Sequence, residues 1–323
     1  MKQELLLEAL GHIEEDLLTE APRRSFRGLW RAAVLAAVLV TLALTAGALG
    51  SRLFIPGSNT MSNTQTARGQ FAYGDGYYYF GTASGLYRLR EGSQRPERLN
   101  TEADPQYLFM TEQGLCYVTE SGSFALRTPQ GEETLDLPEG SHLTRVYGEG
   151  NLVYTNNGSE FCRIDLVSGE RTVLLTDVHG YYVDENWIYA LTEGAQFLRS
   201  PKDTAAFESI SLTFHPASVT ADGDTLYFTK FLSSGNRYRI IRYRDNEETP
   251  LPIVGFNPQI LGEQLLYQDG TLLRLYDPAT GSNTVIAEDV YEYAVLNGDC
   301  ICISHYGGRI TVGGKTVWLF SAG

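Results

Sequence analysis

The chain has 323 residues, with 39 acidic against 25 basic side chains and a formal net charge of −14. Such a balance repels nucleic acid and other polyanions at long range, and no basic stripe with interleaved aromatics offsets it, which argues against nucleic-acid binding. The excess is local: residues 1–66 hold six basic and six acidic residues, so all of it falls on the rest of the chain, 19 basic against 33 acidic, where solubility of an exposed domain accounts for it.

The first predicted element is an acidic amphipathic helix over Met1 to Ala21, ended by Pro22. Leu6, Leu10, Ile13 and Leu17 recur at spacings of four, three and four, and so share one helical stripe. Glu4, Glu8, Glu14, Glu15, Asp16 and Glu20 against Lys2 make the helix unfit for an anionic inner leaflet, which calls for a basic face. The stripe points instead to a cytoplasmic protein partner; a leader that assists membrane insertion or self-association is the alternative. A basic flank follows, Arg23, Arg24, Arg27 and Arg31, closing a segment 1–31.

Ala32 to Ser51 is a run of 20 uncharged residues dominated by Ala, Val and Leu. At 1.5 Å rise per residue it matches a hydrocarbon core of about 30 Å, and predicts one transmembrane helix. Four arginines before it and Arg52 alone just after it place the N-terminus in the cytoplasm and the C-terminal part outside. A cleaved signal peptide is the rival reading, but its basic lead is short, whereas here a patterned acidic helix comes first. Residues 52–68 form a spacer that is uncharged from Phe54 to Ala67 and rich in Ser, Thr, Asn and Gln.

From residue 69 to the end a unit of about 37 residues recurs seven times. Its marker is a tyrosine late in a short apolar run, at Tyr79, Tyr117, Tyr154, Tyr189, Tyr227 and Tyr267, with Cys302 in the seventh place. A tight-turn signal precedes each marker, such as Gly74-Asp75-Gly76, Asp222-Gly223-Asp224 or Asn297-Gly298-Asp299, and predicts a hairpin between first and second strands. An apolar-any-Arg run follows in most units and predicts the third strand: Leu86 to Arg88, Phe161 to Arg163, Phe197 to Arg199, Ile240 to Arg242, Leu272 to Arg274. Turns at Asp165 to Gly169 and Asp277 to Gly281 lead to fourth strands at Arg171 to Leu175 and Thr284 to Ala287, and Lys315 to Phe320 ends the last unit.

Four-stranded antiparallel units repeated seven times bury their faces by radial closure, so the expected fold is all-β, a seven-bladed β-propeller over 69–323. The β-solenoid is the rival, though its coils are shorter and lack two hairpin signals per repeat. The first and last units are the ones that would share a blade if the number differed.

The pattern Gly74-Asp75-Gly76-Tyr77-Tyr78-Tyr79, with Leu86-Tyr87-Arg88-Leu89 after it, resembles bacterial propeller domains similar to those of low-density-lipoprotein-receptor-related proteins. The resemblance covers residues 69–323. It implies a fold and a compartment outside the membrane of Gram-positive bacteria, and no reaction. The string Leu7 to Leu18 resembles the short cytoplasmic N-termini of single-pass regulatory proteins in Firmicutes, including anti-sigma-factor-like proteins.

Chemistry leaves few traces. No nucleophile elbow, paired zinc-ligand histidines, phosphate loop or sialidase-type aspartate box is present, so no catalytic residue, metal site or cofactor is predicted. Asp75, Glu112, Glu149, Asp184, Asp222 and Glu263 recur inside hairpin turns, where turn chemistry explains them. Cys116, Cys162, Cys300 and Cys302 all fall on predicted strands and read as core; Cys300 and Cys302 flank Ile301 in extended chain, a spacing unsuited to a mutual disulfide. One constellation stands out. His142, His179 and His215 precede three consecutive markers by 12, 10 and 12 residues. Each therefore falls near the loop into a first strand, on one rim of the channel, where imidazoles can meet a ligand or a transition metal.

The expected protein is a single-pass cell-membrane protein. Its extracellular propeller binds an envelope protein or glycan, or serves as a scaffold, in envelope sensing or regulation through the cytoplasmic helix. The alternatives are an exported carbohydrate-active hydrolase or lyase with its site at the channel mouth, and a structural partner in an envelope complex.

Overall fold

The computed structural model describes residues 69–318 apart from 102–103, 142–144, 158, 234–236, 305–308 and 313–314. The predicted cytoplasmic helix with Leu6, Leu10, Ile13 and Leu17, the membrane span Ala32 to Ser51 and most of the spacer lie outside the described residues. Among those described, no helix is long and apolar enough to cross a membrane.

The described residues form seven four-stranded sheets, and every sheet takes four strands that are consecutive in sequence and pair in that order. This is the seven-bladed propeller. The blades cover 71–98, 106–134, 146–176, 178–210, 216–254, 256–287 and 290–318. The first and last units share no blade. First strands touch first strands from blade one to two, two to three, five to six, six to seven and seven to one, so they line the centre. These inner strands are Phe71–Gly74, Gln106–Met110, Val146–Glu149, Val178–Val183, Pro216–Asp222, Phe256–Leu261 and Val290–Leu296. Since four antiparallel strands return the chain to the end where it began, all seven inner strands run the same way and start at one rim.

Local sequence explains each hairpin. Asp75 and Gly76 have φ of 53° and 76°, and Asn297 and Gly298 of 50° and 74°, the left-handed pair that a two-residue hairpin of the twist-compatible kind requires. Asp165 Oδ1 accepts from the amides of Val167 and Ser168 at 2.8 and 3.0 Å, and Asp277 Oδ1 from Ala279 and Thr280 at 2.8 and 3.3 Å. These bonds close the third-to-fourth-strand turns before Gly169 and Gly281.

The seven markers all lie on second strands and all are buried. Seven apolar clusters fill the blade junctions among the described residues, and the markers fall in five of them. Tyr79 and Tyr117 meet between blades one and two, for example, and Tyr189 packs with Phe197 against Phe228 of the next blade. Phe197 and Phe228 meet edge to face, centroids 5.0 Å apart. Close packing also fixes Gly148 on the third inner strand, where a Cβ would stand 2.1 Å from the Phe109 ring of blade two. Blade one closes on blade seven through Phe71, Phe80, Ala294, Ile301 and Ile303, and the Tyr78 hydroxyl donates to Asp299 Oδ2 at 2.7 Å across the seam.

The cysteines are free: Cys116, Cys162 and Cys302 are buried, and Cys300 is half-buried beside Cys302 in the last apolar cluster. All four pack as the sequence reading expects.

Candidate functional site

The starts of the inner strands gather unusual backbone. Asp104, Tyr107, Arg145, Asp177, Asn257 and Asp289 all have left-handed φ, between 47° and 58°, and all lie at or just before an inner strand. Register slips accompany them. Inner strands two, four, five, six and seven bulge near their first residues, at Tyr107, His179, Ala217, Asn257 and Tyr291, where ladder pairing with the second strand skips. Bulges turn a side chain out of the pleat and are conspicuous beside binding sites. Left-handed non-glycine residues each cost of order 1 kcal/mol or more and persist where neighbours over-determine them.

Tyrosine hydroxyls supply that determination. The Arg145 amide donates to the Tyr107 hydroxyl at 3.1 Å, and the buried Tyr181 hydroxyl lies between the carbonyls of Arg145 and, at 2.7 Å, Tyr154. Arg145 of blade three is thus gripped from blades two and four. Blade seven repeats half of the device, with Tyr293 donating to the Asn257 carbonyl of blade six. Burial pushes both Tyr181 and Tyr293 well above the usual phenol range, so both remain donors across physiological pH.

Amide and carboxyl side chains tie the other strand starts together. Asp104 accepts from Gln70 and Gln106 through its two oxygens, 3.1 Å each, which links blades one and two. Gln259 donates to the Tyr293 carbonyl at 3.1 Å and accepts from the Val295 amide at 2.9 Å, which links blades six and seven. Glu292 is a buried carboxylate on the seventh inner strand, 4% exposed. The mouth is therefore rigid and mixed in charge.

Of the three predicted histidines, His179 is the bulged, exposed residue of the fourth inner strand, and His215 is exposed immediately before the fifth. They stand at the same rim on adjacent blades. His142 lies outside the described residues. Among the described residues no group of three or more His, Cys, Asp or Glu side chains could hold a metal ion. The turn carboxylates, Asp75 to Glu263, sit at the opposite end of the blades. Asp184 shows their role there, its Oδ1 accepting from the Asn186 and Trp187 amides at 2.8 and 2.7 Å.

Arg145 was not marked by any motif. A signal existed: blades four and seven have Asp-Val, Asp177-Val178 and Asp289-Val290, where blade three has Arg145-Val146. Asp and Asn tolerate the left-handed conformation through short polar side chains, and Arg does not share that reason.

The geometry defines a seven-bladed β-propeller with a rigid, polar channel mouth. No protein-family model matches the chain, and no curated protein matches it. Solved structures do. PorZ, a bacterial surface component of the type-IX secretion system of Porphyromonas gingivalis, aligns with 14% identity and a TM-score of 0.56 over 82% of this chain and 39% of its own. The extracellular domain of a one-component system of B. thetaiotaomicron gives 14% identity and 0.57 over 79% of this chain and 39% of its own. This chain thus spans about two fifths of either protein. An oligogalacturonate lyase, solved with manganese, gives 15% and 0.50 over 78% and 87%. At such identities the likeness is one of fold, and bacterial extracellular propeller domains are among those that share it.

Proposed function

We propose that this chain is a single-pass membrane protein whose propeller is an extracellular binding or scaffolding module, coupled to envelope sensing or regulation by its cytoplasmic helix. Kinship with the low-density-lipoprotein-receptor-related, propeller-like domains of Firmicutes belongs to the same proposal and rests on the repeat residues. One observation carries the binding role. The channel mouth holds strained residues rigidly and turns His179 and His215 outward, an arrangement suited to a preformed ligand face. His142, which precedes its marker by the same 12 residues as His215, belongs to the proposal by sequence spacing alone. The membrane and relay parts rest on Ala32 to Ser51, its arginine flank and the stripe of Leu6, Leu10, Ile13 and Leu17. The extracellular propeller of the one-component system lends the combination support.

Two measurements test it. A C-terminal reporter active only outside the cytoplasm should report, and a cytoplasmic signal overturns the orientation. An isolated helix of about 20 residues is marginal in water and gains stability by docking. Changing Leu10 and Ile13 together to Asp should therefore abolish co-purification of a cytoplasmic protein while insertion and propeller stay intact; retention of every partner removes the regulatory reading.

The second reading is a carbohydrate-active hydrolase or lyase at the same mouth. The lyase among the fold neighbours and the buried Glu292 favour it. Polysaccharide cleavage by the purified protein that vanishes in Glu292→Gln, with the fold retained, would replace the first reading with this one.

A further inference from the structure

We propose that Arg145 is the anchor of a binding site for a small ligand bearing a single carboxylate at the channel mouth, between blades three and four. The proposal deepens the reading of the mouth as a ligand face.

The argument begins with a position that asks for another residue. The residue immediately before the inner strand is left-handed in blades three, four and seven, with φ of 55°, 57° and 58°. Blades four and seven meet that demand with Asp177 and Asp289. Blade three has an arginine, whose long side chain gives no help to the backbone there. The strain is then borne by neighbours, since Tyr107 and Tyr181 hold the Arg145 amide and carbonyl from two different blades. A backbone over-determined in this way fixes where the side chain begins, and that is what a preorganised site requires.

The guanidinium is also available. Its Nη1 donates to the His179 carbonyl, which draws it toward the exposed bulge of blade four. It makes no ion pair among the described residues, whereas Arg88, Arg127, Arg171, Arg199 and Arg274 each have a carboxylate partner on their own blade. A guanidinium has five N–H donors in a planar fork, so one bond to a carbonyl leaves an edge able to take a carboxylate in two parallel bonds. The residue whose carbonyl it meets, His179, is exposed on that bulge.

The surrounding charge sets the ligand class. With 33 acidic residues on the propeller side of the chain, Asp177 directly before the blade-four start and Glu193 joined to it by a backbone bond, a polyanion is repelled before it arrives. A small monocarboxylate meets little of that repulsion and is held locally by Arg145. A purely structural role, stapling blade three to His179 of blade four, is the competing account, and the two differ in what substitution does.

The test uses the full-length protein in detergent micelles, titrated with acetate, lactate, benzoate and glycine, with chloride and inorganic phosphate as controls for ionic strength and generic anion binding. The wild type should bind at least one carboxylate saturably and its melting temperature should rise with concentration. Arg145→Asn keeps a side chain suited to left-handed backbone, so it should melt at or above the wild-type temperature yet lose at least tenfold in affinity. Arg145→Lys should lose nearly as much, because it lacks the planar fork. Equal binding by Arg145→Asn, no saturable carboxylate binding by the wild type, or phosphate binding as tight as carboxylate would each overturn the proposal. So would a marked fall in the melting temperature of Arg145→Asn without loss of binding, which identifies a staple. Loss of the partner in the Leu10 and Ile13 double substitution is a separate result, and survives failure here.

Discussion

Tyr154 and Arg163 face each other as direct partners across the second and third strands of blade three. The same pairing joins Tyr79 to Arg88, Tyr189 to Arg199, Tyr227 to Arg242 and Tyr267 to Arg274. Two sequence marks 7 to 15 residues apart are thus one cross-strand unit. In blades one and four the guanidinium lies over the ring two residues before the marker, Arg88 at 4.7 Å from the Tyr77 centroid and Arg199 at 4.3 Å from Trp187. The arginine then reaches the fourth strand, through Glu97 and Glu208 respectively. The unit laces three strands of one blade.

Because Tyr154 is fully buried in the junction of blades three and four, Tyr154→Ala should cost about 3 kcal/mol, as for other emptied aromatic positions. Asp184→Ala removes two turn bonds and should cost about 1 kcal/mol. Chemical denaturation of the two variants checks the ranking, and equal losses would mean that the second strand does not carry the core.

Gly148→Ala asks for space that the Phe109 ring occupies. Overpacking of this kind costs about 1 to 3 kcal/mol. Gly150→Ala, two residues on in an open turn with φ of 56°, meets no neighbour and suffers only backbone strain. The first variant should show the larger change in near-ultraviolet circular dichroism, because it moves an aromatic ring.

Asp165 and Asp277 give the acid limb a predictable shape. The Ser168 and Val167 amides hold the Asp165 carboxyl below its ordinary 3.8, and the Thr280 hydroxyl and Ala279 amide do the same for Asp277. A lowered folded pKa means stability that is complete above the unfolded value and lost as pH falls through the folded one. Asn at both positions keeps an acceptor and removes the proton, so melting temperature plotted from pH 5 downward should fall less steeply in the double variant. An identical slope would show that these turns do not contribute.

Burial pushes the Cys116 thiol up to about 12, and the Cys162 and Cys300 thiols up as well. None of the four cysteines should react with a maleimide at neutral pH in the native protein, and all four should react after unfolding. Rapid native labelling of any one would contradict its packing.

A fragment beginning near Ala67 should be soluble, monomeric and dominated by β-structure in far-ultraviolet circular dichroism, since the blades cover one another and the described apolar clusters draw on residues from Phe71 onward. A strong helical spectrum is the outcome that contradicts the fold.

The fold was legible because hairpin chemistry and the marker tyrosines repeat: Asp75-Gly76 and Asn297-Gly298 announce their turns locally, and Tyr117 or Tyr154 announces a buried strand. The mouth was legible only in part. His179 and His215 could be placed by their distance from a marker, whereas Arg145 acquires its meaning from the hydroxyls of Tyr107 and Tyr181, 38 and 36 residues away. The bulges at the strand starts are equally silent, since a one-residue slip in pairing leaves no composition of its own.

The closure between blades one and seven makes the ring a split washer. Each of the other six junctions is crossed by a covalent connection, but here, among the described residues, the two faces meet through side chains, with Tyr78 and Asp299 separated by 221 residues. Parting this joint requires no strand to be drawn out of a sheet, and its long loop makes it the contact with the largest closure entropy. Hydrogen exchange and the last step of assembly should both localise there.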